Sequence, residues 1–115
     1  MEASTGTYVT LMTTVDNAED AQAIASAAVG QRLAVCVQVI GPITSTYWWD
    51  NDVQSGDEWL CLIKTGVDLL PELEAIIRQV HPYDVPELLA LPVVAGGKDY
   101  LAWMSAELAP ARRKG

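Results

Sequence analysis

The segment from Leu33 to Thr65, LAVCVQVIGPITSTYWWDNDVQSGDEWLCLIKT, decides the fold because it holds two strand-like stretches joined by a polar linker. The stretches Leu33–Trp49 and Glu58–Thr65 are rich in β-branched and aromatic residues, which is typical of strands, and the residues between them have the composition of a turn. The Gly41-Pro42 pair interrupts the first stretch. Since proline cannot donate a ladder hydrogen bond, this pair predicts a bulge or a bend. The segment therefore predicts a long β-hairpin.

The two cysteines of the chain lie inside these stretches, Cys36 in the first and Cys61 in the second. If the hairpin turns near Val53, Cys61 faces Ser45 rather than Cys36, and a disulfide would need a very different register. We therefore predict two buried free thiols, which are consistent with a reducing cytoplasm.

A strand and a helix are predicted before the hairpin. The stretch Thr7–Val15 alternates and is rich in β-branched residues, so it is predicted to be a strand. Asp16 is followed three positions later by Glu19, which resembles a capping box and predicts a helix from about Asn17 to Gln31. The apolar face of this helix suits close packing on a sheet and consists of Ala21, Ile24, Ala25 and Ala28.

A second helix, a short strand and a closing helix are predicted after the hairpin. Asp68 is expected to cap the second helix, and His81-Pro82 is expected to end it, because the α region is disfavoured for a residue before proline. The stretch Pro86–Val94 predicts a strand at an edge of the sheet, and Lys98–Ala109 predicts the closing helix. The apolar stripe of the second helix is Leu69, Leu73, Ile76, Ile77 and Val80.

The predicted order is β-α-β-β-α-β followed by a C-terminal helix. This order defines the α+β class with a ferredoxin-like arrangement, in which the helices cover one face of an antiparallel sheet. At 115 residues we expect a single domain over 1–115, with an ordered core at about 7–109 and a tail at 110–115.

Composition restricts the partners of the chain. It has 15 Asp and Glu against 7 Lys and Arg, a formal net charge of −8, so we expect binding neither to nucleic acid nor to an anionic membrane. Met1–Leu11 lacks the pattern of a signal peptide, and no stretch approaches the roughly 20 apolar residues of a membrane span, which predicts a cytoplasmic protein. Half of the residues are hydrophobic, more than one small core uses, so oligomerisation is expected.

The stretch HPYDVPELLALPV, His81 to Val93, contains the only histidine. His81 is a candidate metal ligand, with Asp84 and Glu87 as neighbouring oxygen donors, but a single histidine does not complete a closed site. A histidine at the end of a helix, where its charge is favourable, is the competing structural interpretation. Acid–base catalysis by His81 lacks an evident nucleophile or oxyanion donor, so we do not expect an enzyme.

The stretch TYWW, Thr46–Trp49, places three aromatic residues in a row near the hairpin turn. Alternate side chains of a strand face opposite ways, so Tyr47 and Trp49 share one face while Trp48 takes the other. Large aromatics on an extended hairpin are typical of a subunit interface. An aromatic ligand site is the alternative.

The chain resembles the CutA family of divalent-cation tolerance proteins over nearly its whole length. The stretches that carry the resemblance are TTVDNAEDAQAIA, RLAVCVQVI, ITSTYWW, LIKT, HPYDVPELLALPV and DYLAWM. The resemblance implies a ferredoxin-like protomer in a compact homotrimer, similar to the PII signalling proteins, with the hairpin of Tyr47–Trp49 reaching onto a neighbour. It also implies a response to metal ions and, in some members, copper binding, but no catalytic activity.

The chain departs from the ligand types seen in some members of the family. Met12 stands where some have a cysteine, and Val80 stands where some have a second histidine, so of that set His81 alone is retained. Copper or another divalent cation at His81 is therefore one hypothesis. The other is a PII-like trimer without a dedicated metal site, which binds a small effector in an intersubunit cleft lined by Tyr83, Asp84 and Glu87.

Overall fold

The structure is a computed structural model that describes residues 1–114. Four strands form an antiparallel sheet in the order β3-β4-β2-β5, and the two short strands β1 and β6 pair separately. This order confirms the predicted α+β, ferredoxin-like arrangement. The elements are β1 (Glu2–Ala3), β2 (Tyr8–Val15), α1 (Ala18–Gly30), β3 (Cys36–Trp49), β4 (Asp52–Gly66), α2 (Leu70–Val80), β5 (Leu89–Pro92), β6 (Ala95–Gly96) and α3 (Lys98–Lys114).

The hairpin of β3 and β4 is longer and more tightly turned than predicted. Its register shifts between Ile40 and Ile43, which confirms the bulge at Gly41-Pro42. The turn consists of Asp50 and Asn51, whose φ angles of 52° and 60° are those of a two-residue type I′ turn. The prediction of a turn near Val53 was wrong, because Asp and Asn tolerate the left-handed region and the polar residues after them continue as strand.

The register also separates the two cysteines. Cys36 lies opposite Lys64 and Cys61 lies opposite Val39, and both thiols are free. Cys61 is fully buried, and burial raises the pKa of its thiol to about 11. Cys36 is only half-buried, so the prediction of burial was wrong for this residue; it lies on the sheet face that the helices leave open.

The helices cover one face of the sheet, as predicted. Residues of β2 and β4 that face them are fully buried, among them Val15, Cys61 and Ile63. The buried face of α1 is the predicted one: Ala21, Ile24, Ala25 and Ala28. The start of α1 differs from the prediction, because the side chain of Asn17, and not that of Asp16, accepts the hydrogen bond from the Asp20 N–H at 2.7 Å.

The second helix begins without the predicted cap. A 3₁₀ turn at Val67–Leu69 precedes α2, and the carboxylate of Asp68 instead accepts two hydrogen bonds from Arg112, at 2.8 and 3.0 Å. Asp68 is therefore engaged by a residue that is distant in sequence. The predicted end of α2 is confirmed, since the helix ends at Val80 and the His81 N–H donates to the Ile77 carbonyl.

The last helix continues beyond its predicted end at Ala109. Pro110 lies inside α3, Ala111 is buried in the main core and Arg112 bonds to Asp68. Residues 110–114 are thus not a tail as predicted, because these tertiary contacts offset the cost of proline in a helix; residue 115 lies outside the described residues. The strand predicted over Pro86–Val94 is shorter, Leu89–Pro92.

The sheet face away from the helices carries an uncovered apolar patch. We call the patch on it the open sheet face; its residues are Met12, Ile40, Leu60, Leu62, Leu89 and Leu91. The patch crosses all four strands, since Met12 pairs with both Leu62 and Leu89. About half of the surface of Leu89 and of Leu91 is exposed (56% and 51%). Antiparallel sheets that face water on one side normally carry polar residues there, so this face suits burial against another surface.

None of the helices in residues 1–114 is long and apolar enough to cross a membrane.

Candidate functional site

A cleft of about 820 Å³ lies between the hairpin and the segment Tyr83–Glu87 that follows α2. It lies at the end of β2, since Thr14 and Asp16 are among its lining residues. Ligand pockets of roughly this volume accommodate small molecules. The cleft is lined by Thr14, Asp16, Ser45, Thr46, Tyr47, Trp49, Gly56, Asp57, Glu58, Tyr83, Asp84, Val85, Pro86 and Glu87.

The charge of the cleft has one sign. Five of its lining residues carry carboxylates, and none of them is a lysine, an arginine or a histidine. Burial first, and then the nearby charge of Glu58, raises the pKa of the Glu87 carboxyl above its usual range. A bound positive charge would relieve the repulsion that the Glu58 charge exerts on the Glu87 carboxylate. The cleft is therefore suited to a cationic ligand and unsuited to an anionic one such as a nucleotide.

Tyr83 forms one wall of the cleft and is held by a hydrogen bond. Its hydroxyl donates to the Glu58 carboxylate at 2.8 Å, so the segment after α2 is tied to β4. Burial first, and then this hydrogen bond, raises the pKa of the Tyr83 hydroxyl. The phenol thus stays protonated and continues to donate at physiological pH.

His81 lies behind this wall and does not line the cleft. Its side chain is buried, and its ring meets that of Tyr83 edge to face at a centroid distance of 5.0 Å. Nε2 lies 3.1 Å from the carbonyl oxygen of Thr14, and the hydroxyl oxygen of Thr13 lies 3.0 Å from the same nitrogen. Nδ1 accepts the backbone N–H of Tyr83 at 3.1 Å.

These contacts define the protonation state of His81. A carbonyl oxygen only accepts hydrogen bonds and a backbone N–H only donates, so Nε2 carries the proton and Nδ1 has the lone pair. Burial lowers the pKa of the His81 ring, partly opposed by the hydrogen bond to Thr14. Both nitrogens are engaged, and a metal ion would have to displace one of these hydrogen bonds. The structure of residues 1–114 holds no group of three or more His, Cys, Asp or Glu side chains placed to bind one ion.

The fold places the other predicted site residues in two different locations. Tyr83, Asp84 and Glu87 line the cleft together with Tyr47 and Trp49. Trp48 is 74% exposed and, opposite Val53, lies on the other side of the hairpin, as its place in the alternation predicts. The metal-binding and interface roles of these residues stay predictions.

Met12 and Val80, which replace ligand types seen in some relatives, lie apart from the cleft lining. Met12 is on the open sheet face, and Val80 is the exposed last residue of α2.

Asp16 and Glu58 are site residues that the sequence interpretation missed. Glu58 pairs with Ile43 and points to the cleft, a position that follows only when the hairpin turns at Asp50 and Asn51. That Asp-Asn pair was the available signal, because both residues favour positive φ in two-residue turns. Asp16 comes directly after β2, where polar residues at a strand end often line a site.

The fold and the cleft together define a ferredoxin-like α+β protein with a candidate binding site for a small, positively charged ligand. Residues 9–107 match the family model described as CutA1 divalent ion tolerance protein. The chain therefore belongs to the CutA1 family of divalent ion tolerance proteins, and the resemblance noted from the sequence is confirmed.

Named relatives cover most of the chain. The divalent-cation tolerance protein CutA of Thermus thermophilus is 40% identical over 94 residues, which are 82% of this chain and 91% of the relative. The human protein CutA is 42% identical over 99 residues, or 86% of this chain, which spans 55% of the human protein. A structure of CutA from Synechococcus elongatus superposes with a TM-score of 0.86 at 35% identity and covers 94% of both chains.

Proposed function

We propose that this protein serves divalent-cation tolerance as a homotrimer that binds a small, positively charged effector in the cleft, without a dedicated metal site within one protomer. The observation that carries the proposal is the lining of the cleft, five carboxylates beside Tyr47, Trp49 and Tyr83 with no basic side chain among them. Aromatic faces and carboxylates together favour an organic cation, through cation–π and charge interactions. The role is binding and not catalysis, in keeping with the family's description as a tolerance protein.

The proposal can be tested with probes of opposite charge, because the cleft is lined by carboxylates. Thermal-shift measurements with spermidine as a cationic probe and ATP as an anionic probe should give a rise in the melting temperature with spermidine and none with ATP. A matched variant, Glu58→Gln with Glu87→Gln, keeps the size of both side chains and removes both charges. Its response to spermidine should be largely lost. Equal responses in the variant and the parent, or stabilisation by ATP alone, would contradict the proposal.

A second candidate is direct binding of a divalent cation, copper included. It is favoured by the raised pKa of Glu87 beside Glu58, because a bound cation relieves their repulsion. The engaged nitrogens of His81 argue against that residue as the ligand. Copper titrations by calorimetry should therefore give the same affinity for His81→Asn as for the parent. A large loss of copper affinity in His81→Asn would instead identify His81 as a ligand.

The trimer is supported by the open sheet face. Burying a leucine side chain contributes about 1.5–3 kcal/mol, so a patch that crosses four strands provides a strong drive for assembly. Light scattering should give three times the 12.4 kDa of the protomer. Leu91→Lys, on the open sheet face, should lower that mass, whereas Val29→Lys, on the outer side of α1, should not. A monomer at micromolar concentration would contradict this part of the proposal.

We also propose a reducing, cytoplasmic location, which the free thiols of Cys36 and Cys61 support.

A further inference from the structure

The ring of His81 joins elements that are distant in sequence. Its Nε2 bonds to Thr13 and Thr14 of β2, which lie 68 and 67 residues away along the chain. Its Nδ1 accepts the N–H of Tyr83 and so closes a turn over Pro82, in the way that Asn or Asp side chains close turns onto the second residue after them. The imidazole therefore ties the beginning of the segment after α2 to the middle of the sheet.

The connection continues into the cleft. Tyr83 packs its ring against His81 and donates its hydroxyl hydrogen to Glu58, which lines the cleft. A continuous set of contacts thus runs from β2 through His81 and Tyr83 to Glu58 on β4. Beyond Tyr83, the next residues of the wall are exposed (Asp84, and Val85 at 78%), so few packing contacts hold them. The bond to Glu58 holds the side chain of Tyr83, so it is the backbone of the wall that depends on the hydrogen bond at Nδ1.

We propose that neutral His81 is a latch that holds the Tyr83–Glu87 wall of the cleft against the sheet, and that protonation of Nδ1 releases this wall. The reason is geometric. A proton on Nδ1 points at the N–H of Tyr83, so a hydrogen bond of 3.1 Å becomes a contact between two donors. The bonds from Nε2 to β2 are unaffected by this protonation, so the ring stays anchored and the segment moves.

The charged groups around His81 have opposite effects on the protonation of its ring. Asp20 on α1 and Glu58 on β4 favour the charged ring, whereas Arg78 on α2 disfavours it. The nearest groups from β2, Thr13 and the carbonyl of Thr14, carry no charge. Burial outweighs the two acids and lowers the pKa of the ring below its usual range, so the ring is neutral at neutral pH and takes up a proton only in more acidic solution than an exposed histidine does.

The test is amide hydrogen exchange by NMR at about pH 7.5 and at an acidic pH at which the ring nitrogen shifts of His81 report its protonated form. At the higher pH, the ring nitrogen shifts should report the Nε2–H form, and the Tyr83 amide should be protected. At the lower pH, its protection factor should fall roughly tenfold, as expected for the loss of one hydrogen bond. The interior amides of β2 and β4 should keep their protection. Equal protection of Tyr83 at both pH values in the parent would overturn the proposal.

Two variants separate the latch from general acid destabilisation. His81→Asn places an oxygen acceptor close to the position of Nδ1 and does not titrate, so the protection of Tyr83 should become independent of pH. His81→Phe removes the acceptor, and Tyr83 should be unprotected at both pH values; should this variant fail to fold, His81→Asn still decides. The same pH dependence in His81→Asn as in the parent would overturn the proposal. Because no ligand is added, the result is independent of the proposed effector.

Discussion

Replacing Gly41 by alanine should destabilise the protein, because the ring of Trp59 occupies the space that a β-carbon would need. Atoms Cγ and Nε1 of Trp59 lie 2.5 and 2.7 Å from the ideal position of that carbon, and Cδ1 lies nearer still. These are rigid ring atoms and not the end of a flexible chain. Trp59 also packs against the main core, so the ring cannot move aside without losing contacts there. Gly41 is thus required by the close approach of the ring to the backbone at the bulge of β3.

The expected magnitude follows from two opposing effects. Overpacking a well-packed position costs about 1–3 kcal/mol. Alanine also restricts the unfolded chain more than glycine does, which offsets about 0.4–1 kcal/mol of this cost. The free energy of unfolding should therefore fall by roughly 1–2 kcal/mol, which for a chain of this size lowers the melting temperature by roughly 4–8 °C.

The matched control is Gly56→Ala in the same hairpin. A β-carbon at Gly56 meets no atom within 4 Å, so this variant should be neutral or slightly stabilised. Urea denaturation and thermal melting of both variants at one protein concentration measure the difference directly, which avoids the concentration dependence of an oligomer. Equal stability of Gly41→Ala and Gly56→Ala would refute the packing argument. In the double variant with Trp59→Leu, the alanine at 41 should cost clearly less, because the ring is gone.

Three further predictions concern the core and its periphery. Leu73→Ala, at a fully buried position of α2, should lower the free energy of unfolding by about 2.5–5 kcal/mol in urea denaturation, and a loss below about 1 kcal/mol would contradict the core assignment. Arg112→Ala should lower the free energy of unfolding by at most about 1 kcal/mol, since Asp68 is half exposed. The difference from the parent should shrink in concentrated salt. A difference that persists there would mean that packing and not charge holds the last turn of α3. The Cys61 thiol should resist a thiol reagent at about pH 8 until the protein unfolds, because burial shields it and raises its pKa to about 11; labelling of folded Cys36→Ala would contradict this.

The free energy of unfolding should depend on pH in part through the protonation of His81. Its pKa is lowered in the folded state, so protons bind more tightly to the unfolded chain. Its contribution to stability is then fully present above the unfolded pKa of about 6.5 and is lost as the pH falls through the lower, folded value. The free energy of unfolding, measured by urea denaturation, should fall below about pH 6.5 in the parent and fall less in His81→Asn. Parallel curves for the two proteins would contradict this assignment.

Local patterns were sufficient for the elements and their order. The face of α1 was predicted residue by residue, because a period of 3.6 in small apolar residues depends only on neighbouring positions. The end of α2 before Pro82 was equally local, since proline restricts the residue that precedes it. From such elements in this order, the ferredoxin-like arrangement followed without any knowledge of contacts.

Two of the errors occurred where a residue distant in sequence competed for a local partner. Asp68 had the composition of a helix cap, but Arg112, 44 residues away, takes its carboxylate, and the same ion pair with the burial of Ala111 extends α3 past Pro110. The predicted position of the hairpin turn was wrong because Asp50 and Asn51 form a tight turn by themselves. With the turn placed near Val53, the position of Glu58 in the cleft was not predicted, because it depends on the register of the hairpin.

The sequence by itself therefore determined the elements, their order and the family, because each rests on short-range patterns or on the identity of motifs. The tertiary structure decided the role of His81. A lone histidine beside two carboxylates suggests a metal ligand, but its surroundings include a carbonyl and a hydroxyl of β2 nearly seventy positions earlier. Those atoms occupy Nε2 and only folding brings them to the ring, while burial keeps the imidazole neutral and the nearby Tyr83 N–H occupies Nδ1.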